Sequence, residues 1–186
     1  MSKQSNNSAI PELRKIQTDE YARPKFIVSQ MISTGVYLFA GSPKIGKSWL
    51  ALWLCDKVAK GEKVWEYDTE QCTVLYIALE DTKSTLHYRI EDITDKASEQ
   101  AYAVTSCKSI SEGLVDEIDE FIGLHPDTRL VVIDTLQLVR DQAEKQNYAA
   151  DYSELRSLVE YAHDKGLFIC DDHSFSTGAI EDRHRH

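Results

Sequence analysis

The stretch Gly41-Ser-Pro-Lys-Ile-Gly-Lys-Ser48 constrains this chain more than any other. An apolar run, Val36-Tyr-Leu-Phe-Ala40, leads into it, and a run of helical character, Trp49-Leu-Ala-Leu-Trp-Leu-Cys-Asp-Lys-Val-Ala59, leads out. The pattern is G-x-x-x-x-G-K-[ST] between a strand and a helix, which is the context that makes this spacing a phosphate cradle. Gly41 and Gly46 permit backbone conformations that a Cβ resists, so successive N–H groups can turn inward onto an anion at the positive end of the helix. Lys47 is expected to reach the β- and γ-phosphates of a nucleotide, and Ser48, the first helical hydroxyl, to complete the coordination of magnesium. Gly41, Ser42, Pro43, Lys44, Ile45, Gly46, Lys47, Ser48 and Trp49 thus make up the expected nucleotide-binding set. The competing reading is an ordinary glycine turn before a helix capped by Ser48, and the two flanks argue against it.

With 186 residues and 42% apolar content, the chain suits one domain with a real core. Its formal charge of −10 argues against a broad basic face for duplex DNA, which would need clustered Lys and Arg. That charge leaves room for a local site in which a few loop residues hold a single strand. Cys55, Cys72, Cys107 and Cys170 are far apart, with no C-x-x-C pair and no His at zinc-finger spacing, so four reduced thiols are expected. The first residues lack an apolar core and no run approaches bilayer-spanning length, so the expectation is a cytoplasmic protein without a membrane partner.

Taken in order, residues 1–30 read as a polar arm interrupted by Pro11 and Pro24, with one short helix at 12–21, either disordered or strapped onto a neighbouring subunit. A strand at 35–40, the cradle and a helix ending at the left-handed cap Gly61 follow. Thr73-Val-Leu-Tyr-Ile-Ala-Leu79 reads as a strand covered on both faces, and it ends in Glu80-Asp81. A helix at 83–94 and a weaker strand at 102–104 come next. Ser109-Ile-Ser-Glu112 is a capping box for a helix whose stripe is Ile110, Leu114, Val115, Ile118, Phe121 and Ile122, with Asp116, Glu117, Asp119 and Glu120 on its solvated face. A buried strand at 129–134, a polar stretch at 140–146, a helix at 151–165 and a short strand at 167–170 complete the pattern. This alternation predicts a three-layer α/β/α domain with a mainly parallel central sheet and ligands at the carboxyl ends of its strands. The core is expected to span residues 31–173, with a disordered tail at 174–186.

Two carboxylates at strand ends carry the expected chemistry. Asp134, after Leu130-Val-Val-Ile133, suits the acid that holds the hydration shell of magnesium beside the cradle; otherwise it caps the next turn. Glu80, on the strand expected to neighbour the cradle, is the candidate base for the attacking water, with Asp81 as the cap of the next helix. In the alternative, Asp81 and Thr82 cap that helix and Glu80 is a bystander.

Gly41-Ser-Pro-Lys-Ile-Gly-Lys-Ser-Trp-Leu-Ala51, Val74-Leu-Tyr-Ile-Ala-Leu-Glu-Asp81, Val131-Val-Ile-Asp-Thr-Leu136 and Asn147-Tyr-Ala-Ala-Asp-Tyr152 together resemble the RecA-like ATPases of the RepA type, plasmid- and phage-borne hexameric helicases related to DnaB-type replicative helicases. The resemblance spans residues 35–169 and implies a RecA-like fold, ATP with Mg2+, a ring of identical subunits with active sites between them, and hydrolysis coupled to movement on single-stranded DNA. It implies that Lys47 and Ser48 bind phosphate and metal, that Asp134 is the Walker B acid, and that Glu80 is the catalytic glutamate. The departure comes at Cys170-Asp-Asp-His-Ser-Phe-Ser176. His173 matches the second residue of a His-His pair that senses the γ-phosphate, while Asp172 occupies the first position and Phe175 and Ser176 replace the expected cations. By that resemblance the core is incomplete at its carboxyl end and lacks an arginine finger. Two other classes stay in view: a nucleotide-binding module without turnover, and a small-molecule kinase, for which no Arg-rich lid is visible.

Overall fold

The computed structural model describes residues 14, 17, 25–33, 35–42, 44–139, 148–165 and 168–174. In chain order the elements are β1 (Phe26–Val28), β2 (Ile32–Ser33), β3 (Gly35–Gly41), α1 (Lys47–Lys60), β4 (Thr73–Ala78), α2 (Lys83–Ile93), β5 (Ala101–Val104), α3 (Leu114–Leu124), β6 (Thr128–Asp134), α4 (Leu136–Val139), α5 (Tyr148–Lys165) and β7 (Phe168–Ser174). Five strands form one sheet in the order β3-β7-β6-β4-β5, with every neighbouring pair parallel.

Period-two geometry explains the layers. Val74, Tyr76 and Ala78 of β4, with Leu130 and Val132 of β6, pack on Ala51, Leu54 and Val58 of α1 and Leu86 of α2. The intervening Leu75, Ile77, Val131 and Ile133 point the other way, onto Leu114 and Ile118 of α3 and Leu158 and Ala162 of α5. Both faces of the central strands are therefore covered, which is why β4 and β6 read as continuous apolar runs. The expected three-layer α/β/α arrangement is present. At the border, β5 keeps most of its side chains in solvent, in line with its weaker sequence signal.

Several local expectations meet their physical cause. Gly61 adopts φ 68 at the end of α1, where its N–H donates to Val58 O at 3.0 Å and the Glu62 N–H to Lys57 O at 2.9 Å. The capping box is reciprocal, with Glu112 Oε2 accepting from the Ser109 N–H and Ser109 Oγ from the Glu112 N–H, both at 3.3 Å. It closes a turn, however, and α3 begins only at Leu114, after the left-handed Gly113. Cys55 and Cys72 are buried free thiols; burial pushes Cys72 up to about 12 and the half-buried Cys107 up to about 11, so Cys72 and Cys107 stay protonated and unreactive.

Other elements differ from the sequence reading. An antiparallel hairpin, β1–β2, crosses the residues assigned to the arm and buries Ile27, Val28 and Ile32 in the core. Of the helix expected at 12–21, Arg14 and Gln17 are described and both are helical. The polar stretch at 140–146 lies outside the described residues, and the one-turn helix α4 precedes it. β7 runs four residues beyond the expected 167–170, because its backbone pairs with β3 on one side and β6 on the other, and that pairing outweighs the charge of Asp171 and Asp172.

Core and rim should respond differently to truncation. Leu130→Ala, at a side chain with no exposed surface, is expected to lower stability by about 3 kcal/mol, whereas Leu124→Ala, at a side chain 75% exposed, should stay within about 0.5 kcal/mol of the parent. Urea titration checks this through the midpoint, with the slope unchanged for both.

Candidate functional site

The site is built around α1, whose buried residues Ala51, Leu54, Cys55 and Val58 fasten it across the sheet. Gly41 ends β3, paired with Ser174, and the chain reaches α1 through a loop with left-handed residues at Lys44 (φ 66) and Gly46 (φ 93). Gly46 is the N-cap residue, and its carbonyl accepts from the Leu50 N–H at 3.0 Å. The first turn of α1 carries no acidic side chain, so its positive end is not neutralised from within the helix. Lys47 Nζ donates to Ser42 O at 3.3 Å, folding the lysine back over its own loop. Ser42, Lys44 and Ile45 are exposed, Ile45 by 63%, and Ser48 is half-buried. Pro43 lies outside the described residues.

Asp134 closes β6. It follows Leu130 and Val132 on the face covered by α1, and only 1% of it is exposed. Tyr76 Oη donates to its Oδ2 at 2.5 Å, while Oδ1, and Oγ1 of the buried Thr135, have no hydrogen-bond partner among the described residues. Burial, together with the charge of Asp134, pushes the Tyr76 hydroxyl well above its ordinary range and keeps it protonated as a donor. The Leu79 N–H donates to Asp134 O at 2.7 Å, tying the turn that bears Glu80 to the end of β6. Glu80 is exposed there. Glu80 and Asp134 therefore come from adjacent strands, with Ala78 paired to Asp134.

One expected adjacency is different. β4 does not neighbour β3, because β6 and β7 lie between them. The end of the cradle meets β4 through α1 instead. Arg89 of α2 sets its guanidinium 5.9 Å from the ring centroid of Trp49, in the first turn of α1, and donates to Asp81 Oδ2 at 2.6 Å. Asp81 is consequently no helix cap. Thr82 is, its Oγ1 accepting from the Thr85 N–H at 3.1 Å. Burial pushes the Asp81 carboxyl above the usual range, Arg89 pulls it back, and Asp134 raises it further. His173 stands within β7, its backbone paired with Ala40, and its side chain lies outside the described residues.

Arg89, Thr135 and Tyr76 are the residues at this site that sequence patterning overlooked. Tyr76 left one signal, since a tyrosine inside an aliphatic strand needs an acceptor for its hydroxyl once buried. Arg89 left none, because an exposed helix explains an arginine equally well.

Among the described residues there is no cluster of three or more His, Cys, Asp or Glu able to hold a metal alone. A single buried carboxylate with one oxygen unpartnered among those residues suits an ion that takes most of its ligands from phosphate and water, as magnesium does. No helix among the described residues is long and apolar enough to cross a membrane.

A family model described as an AAA domain matches residues 7–175. Among solved structures, the ATPase domain of a DnaB-like helicase is similar with a TM-score of 0.56 at 16% identity, covering 77% of this chain. The chain spans 58% of the length of that structure. At this identity the likeness is one of fold, and the fold is that of a RecA-like P-loop domain. No curated protein matches.

The Arg89–Asp81 pair should support the site electrostatically. Arg89→Met leaves a buried carboxylate without its cation and is expected to cost about 3 kcal/mol near neutral pH. Loss of the cation raises the Asp81 carboxyl further, and a raised folded-state value means that stability falls as pH rises through it. Urea midpoints at about pH 7 and pH 5 should therefore show a smaller deficit for the variant at the lower pH.

Proposed function

The chain belongs to the AAA domain family, and from that footing we propose that it binds ATP with Mg2+ and hydrolyses it to ADP and phosphate, acting as a ring of identical subunits on single-stranded DNA in the manner of the RepA-type helicases of plasmids and phages. The observation that carries the reading is Asp134, a buried strand-end carboxylate on the α1 face of the sheet with one oxygen unpartnered among the described residues.

Gly41, Ser42, Pro43, Lys44, Ile45, Gly46, Lys47, Ser48 and Trp49 hold the nucleotide. The lie of Lys47 supports this role, since its ammonium already leans across the loop toward the Ser42 carbonyl. A triphosphate offers that ammonium a charged acceptor in place of a neutral one, which makes a stronger bond. Ser48 gives its hydroxyl to the metal and Asp134 holds the metal's waters. Bound magnesium neutralises the charge that develops on the β- and γ-oxygens. Glu80 takes the proton of the attacking water. Its position supports the assignment: it sits one residue beyond the Leu79–Asp134 hydrogen bond, at the carboxyl end of the sheet where α1 begins. His173, at the same end of β7, senses the γ-phosphate.

Lys47→Ala is expected to abolish magnesium-dependent phosphate release. Glu80→Gln should keep ATP affinity and lose at least about a hundredfold in turnover. Phosphate release with and without single-stranded DNA, together with equilibrium binding of ATP, checks both. Parental turnover by Glu80→Gln would remove Glu80 as the base, and a folded sample that takes up no MgATP would overturn the whole proposal. ATP that raises the melting temperature without any phosphate released, even on DNA, would leave a binding module in place of a motor.

A further inference from the structure

Tyr76 is 1% exposed and its neighbours along β4 are aliphatic. A phenol in such a position is costly unless its hydroxyl finds an acceptor, and here the acceptor is the buried end of another strand. The register explains how it reaches. Tyr76 is paired with Val132 and Ala78 with Asp134, so Tyr76 and Asp134 are diagonal neighbours on one face of the sheet, a separation that an aromatic side chain spans. Its hydroxyl meets Oδ2 of Asp134 at 2.5 Å. A carboxylate has two oxygens that only accept, and this bond occupies one of them. The other, Oδ1, is buried without a partner among the described residues, and beside it in sequence the buried Thr135 Oγ1 is in the same condition. Both residues are more than nine-tenths buried.

We infer that Tyr76 is a positioning residue for the metal: by holding Asp134 through Oδ2 it fixes the carboxylate plane and reserves Oδ1, with Thr135 Oγ1 alongside, for the waters of a magnesium ion carried in with the nucleotide. The inference rests on the MgATP reading above and names a residue that reading does not include. Partners of this kind, one step removed from a metal, typically alter its affinity ten- to a hundredfold when they are removed. A tyrosine that only satisfied a buried acid would affect stability alone.

Calorimetric titration of the full chain with a non-hydrolysable ATP analogue, with and without Mg2+, separates the two. In the parent, Mg2+ should tighten analogue binding, and Asp134→Asn should remove that gain. Tyr76→Phe keeps the ring and deletes the donor, so analogue binding without metal should stay at the parental value while the Mg2+ concentration at half effect rises about tenfold or more. A Tyr76→Phe protein that melts lower but keeps the parental Mg2+ dependence would overturn the inference and leave the MgATP reading standing. A parent that binds no analogue would bring both down. Should Tyr76→Phe not fold, 3-fluorotyrosine introduced at position 76 retains the hydroxyl. Its fluorine resonance should shift when Mg2+ is added to the analogue complex and should not shift in Asp134→Asn, and an unmoved resonance in the parental background overturns the inference.

Discussion

The packing of α1 across β4 and β6 is the interaction on which the remaining geometry depends. β3 delivers the phosphate-binding loop to one border of the sheet, with two strands between it and β4. The loop's far end meets the acidic strand ends only because α1 turns back over the central strands, with Ala51, Leu54 and Val58 against Val74, Leu130 and Val132. Burial of this kind is non-directional and roughly proportional to area, so by itself it would let the helix slide. Direction comes from its first turn, where Trp49 sits against Arg89 and Arg89 against Asp81. An apolar contact sets the depth of the helix, and a charged one fixes which end lies over the carboxylates.

The electrostatics of that region follow from how closely acids gather under one helix end. Asp81 and Asp134 are both buried, and the charge of Asp134 disfavours ionisation of Asp81; Arg89 offsets this for Asp81, while Tyr76 donates to Asp134. In a chain with a formal charge of −10, a concentration of acid at one end of the sheet repels polyanions in general. What it tolerates is a phosphate accompanied by its own cation, held on the amide dipoles and lysine of the cradle.

The cradle, the two central strands and the alternation of helix and strand were legible because each has a strong local signature: a glycine spacing, a period of two, a period of 3.6. Gly61 as a left-handed cap was legible for the same reason. What escaped the sequence was whatever depended on pairing at a distance. β7 carries Asp171 and Asp172 into the sheet between two other strands, and no local pattern announces that. The β1–β2 hairpin was hidden in a polar context because only three of its side chains reach the core. At the site, the carboxylates were visible as strand-end acids, but the strand order separating β4 from β3 was not, and neither was the switch of Asp81 from cap to ion pair, which required Arg89 from eight residues further along the chain.

The free margin of the sheet has its own consequence. β5 is only four residues long and its outward side chains meet solvent. A foreign strand laid along it would gain few main-chain hydrogen bonds before running out of ladder, so brevity protects against templated self-addition where a covering helix is missing. The domain can thus keep an open flank without that flank becoming adhesive.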